Sequence, residues 1–219
     1  DNTRLPGKMQ LHERLKFDEN GHPTFDICHK RNKVATLELN VPGEHNVLNA
    51  LAGFGAGVAA GIAPEQCAAA LANFKNTGMR QKVQLCRGVT VVEDCYNANP
   101  DSMKAAMSTL GAQKLPAGAQ KIAVLGDMLE LGTVAESSHI GTGKIAAENA
   151  DILLCFGELS KLIVSGAKEN KMENAFHFET KEELSENLRK IAKSGDMVWL
   201  KASRGMRFED IAEAFYEET

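Results

Sequence analysis

The second half of the sequence alternates between short apolar runs and longer amphipathic segments. Five apolar runs fit buried strands, namely Val89–Glu93, Lys121–Gly126, Ile152–Phe156, Ala175–Phe178 and Met197–Lys201. Helices are expected between and after them, near residues 101–113, 136–149, 158–169, 180–193 and 206–217. Strands that alternate with helices form parallel βαβ units, whose right-handed crossovers place helices on both sheet faces. The sequence therefore predicts an α/β fold with a mostly parallel sheet.

The first part of the chain has a different pattern. The pattern from Thr24 to Val41 fits strands, because apolar and polar residues alternate from Ala35 to Val41, which predicts one buried face. A segment rich in Ala, Gly, Leu and Val then predicts a helix, and Pro64 fits the first turn of a second helix. Beyond Gly78 a hairpin-like pair of strands begins. We therefore predict two domains, residues 1–79 and 80–219.

Composition narrows the class of protein. A net charge of −4 without any basic block argues against nucleic acid as a partner. The five cysteines are odd in number and form no C-x-x-C pair, which favours a reducing cytoplasm and disfavours disulfides and structural zinc. No apolar stretch is long enough for a membrane span. Because the chain opens at Asp1 and not at Met, we expect a fragment or a processed chain. We also expect a monomer.

Polar residues follow three of the predicted strands, at residues 94–101, 127–132 and 201–207. Ligands of open α/β sheets bind at the carboxyl ends of the strands, so these loops are the candidate site. In the first loop Asp94 can accept hydrogen bonds from ribose hydroxyls and Tyr96 offers a flat face for stacking. Asn97 and Asn99 can each donate and accept. The alternative is that the asparagines form turns and Asp101 caps the next helix.

The other two loops carry complementary charges. Lys201, Ser203 and Arg204 follow an apolar strand and precede a helix, which favours a carboxylate as the bound group. Asp127 and Glu130 could orient an attacking amine or act on its protons. Acidic residues after a strand also cap the following helix, and this alternative stays open.

Three stretches resemble the Mur ligase family, and within it the UDP-N-acetylmuramoyl-tripeptide:D-alanyl-D-alanine ligases. They are PGEHNVLNALA at 42–52, DCYNANPDSM at 94–103 and LGDMLELG at 125–132. Ala202 departs from the K-G-S-R that is more frequent in this family. The resemblance implies an ATP-driven amide synthetase of three domains. This chain would contain the C-terminal part of the central P-loop-type ATPase domain and the whole C-terminal Rossmann-like domain.

The resemblance also implies individual roles. Asn46 and Asn49 fall where the family contacts adenine, Arg80 where an arginine approaches the terminal phosphate, and Asp94 where an aspartate holds the ribose. A planar cation between two domains could reach a phosphate only when the domains close. Arg80, because it could approach a phosphate, and Asp127, because it could orient the amine or act on its protons, are the candidate catalytic residues.

The sequence contains one stretch that looks like a phosphate-binding loop. GTGKIA at 141–146 lacks the leading glycine, since Ser138 stands there, and Ile145 replaces the hydroxyl that binds Mg²⁺. We interpret it as helix packing. The groups that hold the phosphates and Mg²⁺ are then expected outside these 219 residues, and no metal ligands are assigned within them. The chain alone is expected to bind its ligands partially, without turnover.

The expected reaction of the intact ligase uses ATP, Mg²⁺, UDP-N-acetylmuramoyl-tripeptide and D-alanyl-D-alanine. ATP phosphorylates the tripeptide carboxylate, and the dipeptide amine attacks the acyl phosphate during peptidoglycan synthesis. Two alternatives remain open at this point. One is another Mur-type or folylpolyglutamate-type ligase with a different acceptor, and the other is a non-catalytic nucleotide-binding α/β module.

Overall fold

The computed structural model describes residues 9–11, 14–18, 21–29, 32–75 and 80–217. The chain divides into two compact units, Asp1–Asn76 and Thr77–Thr219. The predicted boundary after residue 79 lies outside the described residues. Among the described residues, no helix is long and apolar enough to cross a membrane.

The first unit is a four-stranded antiparallel sheet with two helices. Its elements are β1 (Met9–Leu11), β2 (Lys16–Phe17), β3 (Pro23–His29), β4 (Asn32–Glu38), α1 (His45–Ala59) and α2 (Pro64–Ala72). Strand β3 pairs with each of the other three strands. The expected alternation is confirmed, since Leu37, Leu39 and Val41 are buried while the residues between them are exposed. These apolar side chains pack with Phe54 of α1 in one core.

The second unit is a six-stranded sheet with five α-helices. Its strands are β5 (Lys82–Cys86), β6 (Val89–Asp94), β7 (Lys121–Gly126), β8 (Ile152–Phe156), β9 (Ala175–Phe178) and β10 (Met197–Lys201). Its helices are α3 (Pro100–Ala112), α4 (Ala135–Asn149), α5 (Ser160–Glu169), α6 (Lys181–Ile191) and α7 (Glu209–Tyr216). Among the strands described for this sheet, only β5 is antiparallel, because it forms a hairpin with β6. The predicted mostly parallel sheet is confirmed.

Side chains of the sheet alternate between two apolar cores. One face, which includes Val92 and Trp199, packs against α3, α4 and α5. The other face, which includes Val91 and Leu200, packs against α6 and α7. Since successive residues of a strand point to opposite faces, near-continuous apolar strands are what a sheet covered on both sides needs. Helices therefore lie on both faces, as predicted.

Helices α4 and α5 approach each other closely at two glycines. A side-chain carbon on Gly143 would overlap with the carbonyl oxygen of Ile163, and one on Gly166 would overlap with that of Ile140. The GTGKIA stretch thus lies within α4, and its second glycine permits helix packing. The interpretation of this stretch as packing is confirmed.

The sheet order is β5-β6-β10-β7-β8-β9. Strand β10 lies between β6 and β7 and is parallel to both. Lys201, the last residue of β10, stands opposite Asp94 of β6 and Leu125 of β7. The three polar loops that follow these strands therefore begin side by side at one edge of the sheet.

Candidate functional site

An ion pair joins the ends of β6 and β10. The Lys201 Nζ lies 2.7 Å from Asp94 Oδ2, and it donates a second hydrogen bond of 3.0 Å to the carbonyl of Asn97. The Lys201 side chain is 3% exposed and that of Asp94 is 13% exposed. A buried ammonium is costly unless it is paired with a charge and hydrogen-bonded. Lys201 therefore holds the loop after β6, while its predicted contact with a substrate stays a prediction.

The asparagines of this loop make local hydrogen bonds. Asn97 Oδ1 accepts from the Ala98 amide at 2.9 Å. Asn99 Oδ1 accepts from the Ser102 amide at 2.8 Å, and the Asn99 amide donates to Ser102 Oγ at 3.0 Å. Asn99 is thus the N-cap of α3 in a capping box.

The expectation that Asp101 caps α3 is wrong. Pro100 occupies the first helical position, where its missing N–H costs nothing. The N-cap is therefore the residue before Pro100, which is Asn99. Asp101 lies in the first turn, where its negative charge favours the helix N-terminus. Binding of a ligand by Asn97 or Asn99 stays a prediction.

Arg80 and Tyr96 contact each other within the second unit. The guanidinium carbon of Arg80 lies 4.4 Å from the centre of the Tyr96 ring, a cation–π arrangement. The Tyr96 side chain remains 48% exposed. Two residues predicted separately, one for a phosphate and one for stacking on a base, are therefore brought together.

Asp127 is buried and already engaged with the protein. Its Oδ1 accepts from the Ser160 amide at 2.7 Å and its Oδ2 from the Leu159 amide at 3.3 Å. These amides lie at the start of α5, so Asp127 caps α5 and not the helix that follows it in sequence. Gly157 has φ +131°, and a side-chain carbon there would overlap with the Asp127 carboxylate. The predicted catalytic role of Asp127 is untested.

The loop after β7 is also joined to the loop after β10. Ser203 donates its amide to the Asp127 carbonyl at 3.1 Å and accepts from the Leu129 amide at 2.9 Å through Oγ. His139 Nε2 accepts from the Met128 amide at 3.0 Å, and its Nδ1 lies 2.7 Å from the Ala135 carbonyl. A ring with its proton on Nδ1 satisfies both contacts, so His139 is structural.

The remaining acidic residue of this loop, Glu130, is exposed and has φ 65°. Such a left-handed backbone is uncommon for a residue with a side chain. The turn directs the chain from β7 towards α4. The contact of Glu130 with the substrate stays a prediction.

The cations after β10 have acidic partners at the start of α7. Arg204 pairs with Glu209, and Arg207 lies 3.2 Å from Asp210. Lys181 of α6 also reaches Asp210 at 2.8 Å, and its hydrogen bond keeps the pKa of Asp210 below the usual 3.8. Sequence reasoning missed Glu209, although an acidic pair in a first helical turn is a recognisable signal. A bound carboxylate would compete with Glu209 for Arg204.

The two remaining predicted residues belong to the first unit. Asn46 Nδ2 donates to the Pro42 carbonyl at 2.7 Å, and Asn49 Nδ2 donates to Asn46 Oδ1 at 3.1 Å. Both lie in the first turns of α1 on one face, as three-residue spacing requires. Asn49 is exposed and Asn46 is partly buried. Their predicted contact with adenine is untested.

In the part of the chain that the structure describes, no group of three or more His, Cys, Asp or Glu side chains could hold a metal ion.

The fold agrees with comparisons to known proteins. The family model of the Mur ligase glutamate ligase domain matches residues 79–204, more than half of the chain. The chain therefore belongs to the Mur ligase family. It is 38% identical over 218 residues to the UDP-N-acetylmuramoyl-tripeptide–D-alanyl-D-alanine ligase of Bacillus subtilis (strain 168), covering 98% of this chain and 46% of that protein.

Solved structures of Mur ligases have the same fold as this chain. MurF from Acinetobacter baumannii superposes with a TM-score of 0.83 at 25% identity, covering 97% of this chain and 46% of the other. The MurF ligase from Thermotoga maritima in complex with ADP superposes with a TM-score of 0.75 at 26% identity. This match covers 96% of this chain and 46% of the other. The chain spans about half the length of the relatives it matches.

Proposed function

We propose that this chain is part of an ATP-dependent ligase that joins D-alanyl-D-alanine to UDP-N-acetylmuramoyl-tripeptide in peptidoglycan synthesis. The observation that carries the proposal is the 38% identity to the Bacillus subtilis ligase of that name, which extends over 98% of this chain. The convergence of three polar loops at one sheet edge supports it, because such an edge is where open α/β sheets bind ligands.

The proposed chemistry has two steps. ATP transfers its terminal phosphoryl group to the carboxylate of the tripeptide, which forms an acyl phosphate and releases ADP. The free amine of D-alanyl-D-alanine then attacks the acyl carbon, and inorganic phosphate leaves as the amide forms. The protein contributes mainly by positioning the reactants and stabilising charge.

We assign the nucleotide to the loop after β6. The Asp94 carboxylate is anchored through Oδ2, which leaves Oδ1 to accept a hydrogen bond from a ribose hydroxyl. Arg80 would approach the terminal phosphate after leaving the ring of Tyr96. Asn46 and Asn49 would contact adenine. The ADP in the Thermotoga maritima neighbour supports a nucleotide as ligand.

We assign the dipeptide to the loop after β10. Leu129 donates to the Ser203 oxygen, so the Ser203 hydroxyl can use its own hydrogen to donate to a carboxylate. Arg204 would supply the positive charge, and Glu130 would face the amine. This arrangement suits an acceptor that carries an anionic end and a nucleophilic end.

The compartment and the assembly state are proposals as well. All five cysteines are free thiols, and four of them are buried. Free thiols suit a reducing compartment, which supports the cytoplasm. We propose that the ligase acts there as a monomer.

The test compares the 219-residue chain with the longer protein that its reading frame encodes upstream of Asp1. Both are given ATP, Mg²⁺, UDP-N-acetylmuramoyl-tripeptide and D-alanyl-D-alanine, and amide product and ADP are measured. We expect ligation by the longer protein and none by the chain alone, because a phosphate-binding loop is absent from its sequence.

Two results would count against the proposal. Ligation by the 219-residue chain at the rate of a full-length ligase would show that no essential part lies outside it. A longer protein without a G-x-x-x-x-G-K-[ST] motif and without ligation would refute the ligase assignment itself.

A further inference from the structure

We propose that Lys201 is a positioning residue that sets the Asp94 carboxylate and the loop after β6 for the ribose of the nucleotide. This role differs from the contact with a bound carboxylate that the sequence predicts for Lys201. The inference rests on the proposed function, because it assumes that Asp94 accepts a ribose hydroxyl.

The burial of Lys201 is the first argument. Its side chain is 3% exposed, and the two acceptors that its ammonium reaches, Asp94 Oδ2 and the Asn97 carbonyl, belong to the same loop. At 3% exposure this ammonium offers little surface to a dipeptide carboxylate. Arg204 and Arg207, whose side chains are 52% and 69% exposed, are accessible cations after the same strand.

The geometry of the pair is the second argument. A free aspartate side chain rotates, and either oxygen can face a ligand. Lys201 fixes Oδ2 at 2.7 Å, which leaves Oδ1 as the oxygen available to a hydroxyl donor. The second bond, to the Asn97 carbonyl, fixes the backbone just beyond Tyr96. One ammonium therefore orders both the acceptor oxygen and the backbone next to Tyr96.

The position of Lys201 in the fold is the third argument. It ends β10, which pairs with both β6 and β7, and Ser203 follows two residues later. Ser203 is hydrogen-bonded to the loop after β7 through Asp127 and Leu129. The rigid centre of the sheet thus holds Lys201, and the ammonium transfers that rigidity to the loop after β6.

The first measurement records backbone amide chemical shifts of the 219-residue chain and its Lys201→Met variant. We expect the amides of residues 94–99 to shift while those of α6 stay in place. The matched control is Lys190→Met, which removes an exposed lysine from the Glu186 pair on α6. If Lys201→Met does not fold, Lys201→Gln, which keeps a donor nitrogen and removes the charge, is judged by the same criterion.

The second measurement separates positioning from mere stabilisation. The wild-type chain and its variants are titrated with ATP and with 2′,3′-dideoxyATP, which lacks the ribose hydroxyls. We expect the wild type to prefer ATP by about tenfold, the value of one hydrogen bond to a charged acceptor. Lys201→Met is expected to lose most of that preference, and Lys190→Met is expected to keep it.

The outcomes are distinguishable. Unchanged shifts at residues 94–99 in the Lys201 variant would overturn the proposal, and so would shifted amides with an intact preference for ATP. If the wild-type chain binds neither nucleotide, the assignment of a nucleotide to this chain fails, and the shifts alone decide whether Lys201 positions the loop.

Discussion

At the scale of single residues, a second buried carboxylate supports the end of β6. Glu93 is 4% exposed, and its Oε1 accepts from the Tyr216 hydroxyl at 2.8 Å and from Lys82 at 3.2 Å. Burial, together with the hydrogen bond to Glu93, raises the pKa of Tyr216 well above its ordinary value. Tyr216 therefore stays protonated and donates to Glu93, next to Asp94, throughout the physiological range of pH.

Replacement of Tyr216 by Phe is expected to lower the free energy of unfolding by about 1–3 kcal/mol. The variant keeps the ring but removes the hydrogen bond from the Tyr216 hydroxyl to the buried Glu93 carboxylate. Of the two donors to Glu93, Lys82 remains. Urea unfolding followed by circular dichroism measures the change. Tyr96→Phe is the matched control, because that ring is 48% exposed. Equal effects of the two substitutions would show that the hydrogen bond to Glu93 contributes nothing specific.

At the scale of elements, the sequence predicted the strands of the second unit well. The predicted bounds of β7, β8, β9 and β10 match the structure, and β6 is one residue longer. These strands lie in a sheet with helices on both faces, so their apolar runs stand out from the more polar segments between them. The helix ends were less well predicted. Asn99 and Asp101 are both residue types that cap helices, and the sequence alone does not show which of them has the capping geometry.

The close approach of α4 and α5 makes Gly143 the most sensitive position of that helix pair. Gly143→Ala is expected to destabilise the protein by about 1–3 kcal/mol, because the added methyl group overlaps with the Ile163 carbonyl and forces the helices apart. Gly141→Ala in the same helix is the control. Its methyl group meets no atom within 4 Å, so it should be neutral or stabilising by about 0.5–1 kcal/mol.

Thermal and urea unfolding of the two alanine variants would decide this point. If Gly143→Ala is as stable as Gly141→Ala, the two helices are not held by contact at this glycine. A difference between them would show that the glycine of GTGKIA serves packing in solution as well as in the structure.

At the scale of the whole molecule, each compact unit has its own apolar core. The second unit contains two cores, one on each face of its sheet. The sequence predicts two domains, because the strand and helix patterns change near residue 79, and that boundary stays a prediction. It could not indicate the strand order, since pairing between distant strands leaves no trace in local apolar periodicity. The pairing of Lys201 with Asp94, 107 residues apart, depends on that order.

Residues 77–219 are expected to fold without the first unit. This segment contains all six strands of its sheet and the helices that cover both faces. Circular dichroism and amide chemical shifts of the isolated segment should match those of the whole chain, with one cooperative unfolding transition. A segment that stays unfolded or aggregates would show that its cores depend on residues 1–76.

The position of β10 also has a consequence for the order of folding. A nascent chain leaves the ribosome from its N-terminus, so β6 and β7 appear long before the strand that must lie between them. Until β10 arrives, each has an unpaired edge, and pairing of β6 with β7 would be a kinetic trap. The loops after β6 and β7 can therefore be joined through Lys201 and Ser203 only after β10 has been made.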